Sequence, residues 1–293
     1  SAFGMQIWHS DMLVQDNEIH DCGRRSISYN VYGDQRDESL VFENVVFEGN
    51  VLHHGYHTTG FDISNGWTDT FRNFVFRNNF IWDDPADDPT DGVNDFTSMG
   101  LYLAPGGEFV NFTIHHNVLK NIKQKGLAIG GVHDLKIFHN VIYGMNAHIG
   151  SYRPMVSISG DYQDVRFANN IIYGNVPASA FETRGLYFSD STAGVLDVNH
   201  NLYFQEDEDQ PIVTINGNGY DMSEWAAYRS ATGWDADSPT PANPLFVDAE
   251  QDDFGLQSDS PAVDKGILIP GLNDDFQGNA PDIGAFESIH VAD

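Results

Sequence analysis

Residues suited to proton transfer and charge neutralisation recur at one phase of this chain. Ser28, Asp62, Tyr102, Ala128, Ser157 and Tyr187 each follow an apolar residue in a short alternating phrase, such as Phe61-Asp62-Ile63 or Leu101-Tyr102-Leu103. Alternation at period two is strand periodicity. With the apolar residues inward, these six form one outward column. Three positions before each inward residue stand Arg24, Thr58, Ser98, Gln124, Arg153 and Thr183. Seven of the chain's 14 basic residues, Arg24, Arg25, Lys120, Lys123, Lys125, Arg153 and Arg184, precede the same phrases, as do His20, His53, His54, His57 and His148. Clustered cations and imidazoles suit an acidic sugar. Removing the proton beside a uronate carboxylate requires that its charge be neutralised and that a Tyr, His or Lys move the proton. The expected catalytic set is therefore Asp62, Tyr102, His57, Arg153 and Lys125. Arg24, Arg25, Ser28, His53, His54, Tyr187 and Arg184 are expected to hold substrate. In this assignment Arg24, Arg153 or Lys125 neutralises the carboxylate, Tyr102 or His57 moves the proton, and Asp62 orients one of them or binds sugar.

Two rival chemistries use the same strip. A glycoside hydrolase needs two carboxyls roughly 5–10 Å apart, which Asp62 with Asp91 or Asp95 would supply. A non-catalytic glycan-binding or adhesin rod would keep the tyrosines and need no converging acid and base. A plain solvated face, with cations offsetting nearby acids, is the simplest alternative. The acidic run "DDPADDPTDGVND" offers hard oxygen ligands, and Asp83, Asp84, Asp87 and Asp88 are the expected calcium ligands. Its spacing is not that of an EF-hand, and a solvated acidic loop is the other reading. His53-His54-x-x-His57 lacks the helical frame of zinc proteases.

The elements that must position this strip follow from a repeat. Asn17, Asn50, Asn79, Asn117, Asn140, Asn170 and Asn201 each open an apolar phrase, at spacings of 33, 29, 38, 23, 30 and 31 residues. A repeat of this length with two or three short strands and no helix marks a solenoid. The predicted class is all-β, a single-stranded parallel β-helix of about eight coils. Stacked at one turn, the seven asparagines hydrogen-bond up and down a ladder and satisfy buried backbone, so their role is structural. One helix is expected over 220–233, with capping-box spacing from Asp221 to Glu224 and a stop at Gly233. Its place is over the open end of the solenoid. The organisation is coils over 1–218 and a helix with a capping extension over 219–293, packed on the same solenoid. The beginning shows no matching cap, so further upstream coils or an N-terminal partner are expected.

The phrases "NNFIW", "HHNVLKN", "FHNVIYG" and "ANNIIYG" resemble the right-handed parallel β-helix repeats of the pectate-lyase-like superfamily. The run 242–266, "ANPLFVDAEQDDFGLQSDSPAVDKG", with "DDFQGNAPDIGAFE" at 274–287, resembles the C-terminal segment of many secreted bacterial β-helix proteins. The resemblance implies the right-handed fold, a polysaccharide or oligosaccharide partner, often calcium, and a secreted or periplasmic location. It leaves the reaction open, because this fold hosts lyases, hydrolases, epimerases and adhesins. Composition agrees. A net charge of −29 excludes the cationic footprint that nucleic-acid binding needs. No apolar run reaches the roughly 20 residues of a membrane helix. The single cysteine, Cys22, excludes an internal disulfide and reads as a small buried hydrophobe.

Overall fold

The computed structural model describes residues 3–288 except 24, 31–38, 56–57, 65–68, 84–98, 105–106, 145–152, 176–182 and 190–193. Three parallel sheets wrap one core. Each coil contributes one strand to sheet A, one to sheet B and one to sheet C, in that order, so strands neighbouring in a sheet are three apart in the chain. Sheet A runs from Phe3–Gln6 through Arg25–Asn30, Thr58–Ser64, Met99–Ala104, Lys125–Gly130, Arg153–Ser159 and Thr183–Phe188 to Val213–Ile215. An antiparallel strand, Asn218–Tyr220, closes its edge. Sheets B and C have seven strands each. Seven full coils and the start of an eighth are thus present among the described residues. This is the expected parallel β-helix.

The inward phase is the one expected. Ile27, Phe61, Leu101, Leu127, Val156 and Leu186 are all at most 2% exposed. Below sheet B, aromatic rings stack from coil to coil: Phe42 on Phe71 on Phe109, and Phe74 on Phe112, at 5.1–5.3 Å between centroids. Parallel stacking repeats one ring packing at successive rungs, and each ring buries a large apolar area.

The turn from sheet B to sheet C is two residues long in every coil. Its first residue, Asp16, Gly49, Asn78, His116, His139, Asn169 or His200, is left-handed. Glycine, or a residue type that tolerates positive φ, fits there. Its second residue is the repeated asparagine. In each of the first six asparagines the backbone N–H and the side-chain amide both donate to Oδ1 of the next, as from Asn117 to Asn140 at 3.1 and 2.9 Å. The last, Asn201, donates instead to the carboxylate of Asp235 at 3.2 Å and the hydroxyl of Ser238 at 2.8 Å. A second amide ladder was not foreseen. Left-handed Asn111, Asn73 and Asn44 donate in sequence to the next, ending on Asp11, along the outside of sheet B.

The helix Trp225–Thr232 follows a capping box at Asp221 and ends at left-handed Gly233. Trp225 and Tyr228 join the core beside Tyr203, so the helix covers the last coil. The tail then folds back along the rod. Phe246, Phe254, Leu256, Ala262 and Ile283 pack on Val118, Val141, Tyr143, Ile171, Tyr173 and Leu202 of sheet C's outer face. Lys120 is drawn into this contact. Its ammonium donates to Asp252 at 2.6 Å and to the Glu250 carbonyl at 3.1 Å.

Candidate functional site

The outward column of sheet A is in register over seven strands: Ser28, Asp62, Tyr102, Ala128, Ser157, Tyr187 and Thr214. Only its tyrosines are open. Ser28, Asp62, Ala128, Ser157 and Thr214 face away from the core yet are at most 5% exposed, whereas Tyr102 and Tyr187 are half-buried. The expectation of a uniformly accessible strip is corrected here. Arg25, itself 3% exposed, forms an ion pair through Nε with Asp62 Oδ2, and Thr58 donates to the same oxygen at 3.4 Å. Asp62 Oδ1 and Ser28 Oγ, side by side in register, are buried without a hydrogen-bond partner among the described residues. A carboxylate this deep is held by its guanidinium partner and is inaccessible to a polymer.

Among the described residues the cation at this rung is Arg25. Register slips by one residue between Arg25 and Ile27, so Arg25 lies opposite Thr58. The strand Thr58–Ser64 spends one extra residue there, which is a β-bulge, and bulges re-aim side chains.

Between Tyr102 and Tyr187 the column holds only Ala128 and Ser157. Three rungs at about 4.8 Å make a saddle roughly 14 Å long with a tyrosine at either end. Lys125 reaches one rung along it, its ammonium 3.5 Å from Ser157 Oγ. Arg184 lies 5.8 Å from the centre of the Tyr187 ring and is mostly buried. The saddle thus carries two cations, two hydroxylated rings and a floor of small residues.

Other expected residues fall elsewhere. His53 and His54 are on sheet C, away from the saddle. The His53 ring stacks between His20 and Trp82 at 5.0 and 4.6 Å, and His54 meets Trp82 edge-on. A flat stack along the rod presents ring edges outward, so these histidines do not offer a face to sugar. Asp83 is 1% exposed and accepts a 2.7 Å hydrogen bond from Thr59, as a turn-fixing residue does. No group of three His, Cys, Asp or Glu side chains arranged for a metal occurs among the described residues. Arg24, His57, Asp84, Asp87, Asp88, Asp91 and Asp95, and the side chain of Arg153, lie outside the described residues. Cys22 is buried and its thiol pKa is raised by that burial, as expected of an inert cysteine. No helix is long and apolar enough to cross a membrane among the described residues.

No protein-family model matches the chain, and no curated protein does. Among solved structures it is similar to the crystal structure of pectate lyase Pel9A, over 98% of this chain and 73% of that one, with 13% identity and a TM-score of 0.43. At that identity and score no residue role passes from that protein to this chain, and the architecture rests on the sheets described above.

Proposed function

We propose that the chain acts on an acidic, uronate-containing polysaccharide laid across the rungs of sheet A, by β-elimination or epimerisation. The observation that carries this reading is the saddle: Tyr102 and Tyr187 flanking small residues, with Lys125 beside Ser157, Arg184 against the Tyr187 ring and a buried Arg25–Asp62 pair one rung from Tyr102. In this reading Lys125 neutralises the sugar carboxylate, Arg184 backs the Tyr187 ring from a buried position, and Tyr102 moves the proton. Asp62 and Arg25 fix the floor beside Tyr102 and do not meet sugar. Hydrolysis would need two carboxyls facing the substrate, and Asp62 is buried and ion-paired. Elimination or epimerisation is therefore favoured. Calcium assistance and a secreted or periplasmic location belong to the same proposal.

The test is to incubate the protein with polygalacturonate, alginate and neutral xylan, reading ultraviolet-absorbing unsaturated ends and new reducing ends separately. Unsaturated ends on an acidic polymer support elimination; new reducing ends without them support hydrolysis. Tyr102→Phe removes one hydroxyl. Turnover should fall about 10²-fold or more with binding retained. Unchanged turnover would reduce Tyr102 to a stacking surface.

A further inference from the structure

A second groove lies on the outer face of sheet B, on the same four coils as the saddle but on a different face of the rod. Its floor is one outward column, Thr113, Lys136, Arg166 and Asp197, on four successive strands. Its roof is the tail segment 267–272. Together they enclose about 600 Å³.

Three observations set this groove apart from an incidental crease. First, Arg166 and Asp197 face each other in register and attract electrostatically, yet neither makes a hydrogen bond or an ion pair within 4 Å with any described residue. Lys136, one rung earlier, is already engaged by Asn111 at 3.0 Å and Asp134 at 2.9 Å. Second, the strand Val195–Asn199 bulges just before this pair. The slip between Val165 and Arg166 leaves Leu196 out in solvent and brings Asp197 onto the Arg166 column. Third, the roof is held rigidly. Ile267 exchanges two 2.8 Å hydrogen bonds with the Asn169 side chain, and Ile269 donates to Asn273 at 2.7 Å. The clamp keeps Ile267 and Leu268 in place at 42% and 47% exposure. Burial also raises the Asp197 pKa, the sign of a carboxylate partly withdrawn from water.

The ligand chemistry follows from charge. The four charged residues of the groove, Asp134, Lys136, Arg166 and Asp197, sum to zero in a chain whose net charge is −29. Such a site has no reason to select an anion or a cation. A guanidinium supplies only donors and a carboxylate only acceptors. Their strands are neighbours about 4.8 Å apart, so a donor head and an acceptor head can engage different hydroxyls of one sugar ring, while the apolar lip covers its C–H face. We propose that this groove binds a neutral sugar residue, as a holding site separate from the sheet A saddle. The inference stands whether or not the saddle is catalytic.

The experiment is a titration of the methyl-labelled protein with cellohexaose, mannohexaose and xylohexaose, followed by NMR at the Ile267, Leu268 and Leu272 methyls. Hexagalacturonate serves as the acidic comparison. At least one neutral hexasaccharide should shift these methyls. Its dissociation constant should rise roughly ten-fold or more in Arg166→Ala and in Asp197→Ala, two partly exposed positions outside the core. Tyr102→Phe should leave the titration unchanged. The proposal is overturned if no neutral hexasaccharide moves these methyls, if both groove variants bind as the parent does, or if hexagalacturonate binds there more tightly than every neutral one.

Discussion

Asp235 is where the amide ladder ends in a charge. Its carboxylate is fully buried and accepts from Ser238, Tyr228, Asn201 and Tyr203. Desolvation nonetheless pushes its pKa up to about 6, the four donors offsetting only part of the cost. The unfolded value is near 3.9. Between about pH 4 and 6 the folded chain therefore holds a proton that the unfolded chain has lost, and this residue's contribution falls as pH rises through that window. At pH 7 the buried charge costs about 3 kcal/mol. Asp235→Asn retains the oxygen acceptor and removes the charge. Urea midpoints of parent and variant, measured from pH 4 to 7, should diverge, with the parent losing ground as pH rises. Parallel profiles would show that the four donors fully compensate the charge.

The ladder and the tail are the elements that hold the coils together. Asn140 donates to Asn170, Ile114 and Phe138, and accepts from both nitrogens of Asn117. Asn140→Ala strands several of these buried groups and should lower stability by about 3 kcal/mol in urea titrations. Activity per folded molecule should be unaltered; activity lost at unchanged stability would move the ladder into the site. The tail is pinned by His139. Two side-chain amides donate to its Nε2 at 2.8 Å, so its proton resides on Nδ1 and is donated to the Gly284 carbonyl at 3.1 Å. Burial first, then the facing His116 and His115, push its pKa down to about 3. The unfolded imidazole titrates near 6.5, so above that pH this residue adds no pH dependence. Between 6.5 and about 3 the unfolded chain takes a proton that the folded chain refuses, and stability falls as pH falls. Hydrogen-exchange protection at Ile283 and Gly284 should drop between pH 7 and 4.5; equal protection would mean the tail is held independently of His139. The asparagine turns and the inward phase of sheet A were legible because each repeats one residue type at one place per coil. Three features were not. Asn44, Asn73 and Asn111 sit inside strands, where an amide reads as a solvated side chain. The outer column of sheet C alternates like an open face until Phe246 and Phe254 cover it. Asp62 has an outward phase, and phase alone gives no sign that Arg25 lies across it.

For the whole molecule the dominant fact is the net charge of −29. Self-repulsion at that charge opposes compactness, and screening should relieve it. Added sodium chloride should therefore raise the melting temperature. Calcium and magnesium chlorides at matched ionic strength separate screening from a specific site. The calcium proposed for Asp84, Asp87 and Asp88 should add a further rise that magnesium does not give, because a ligand selective for the folded state stabilises it by mass action. Superimposable calcium and magnesium curves would remove that ion from the proposal.

The tail clamp also sets an order of assembly. Neighbouring coils join residues 23–38 apart, as the asparagine ladder does, and each can settle on its predecessor as soon as the chain is available. The tail must find partners 98, 130 and 145 residues back, at Asn169, Lys120 and His139. Closing a loop of about 130 residues instead of about 30 costs roughly 1 kcal/mol more in chain entropy, and its docking surface exists only once several coils are stacked. The rod is thus wound before it is latched, and a chain interrupted between the two steps would carry the bare apolar stripe of sheet C.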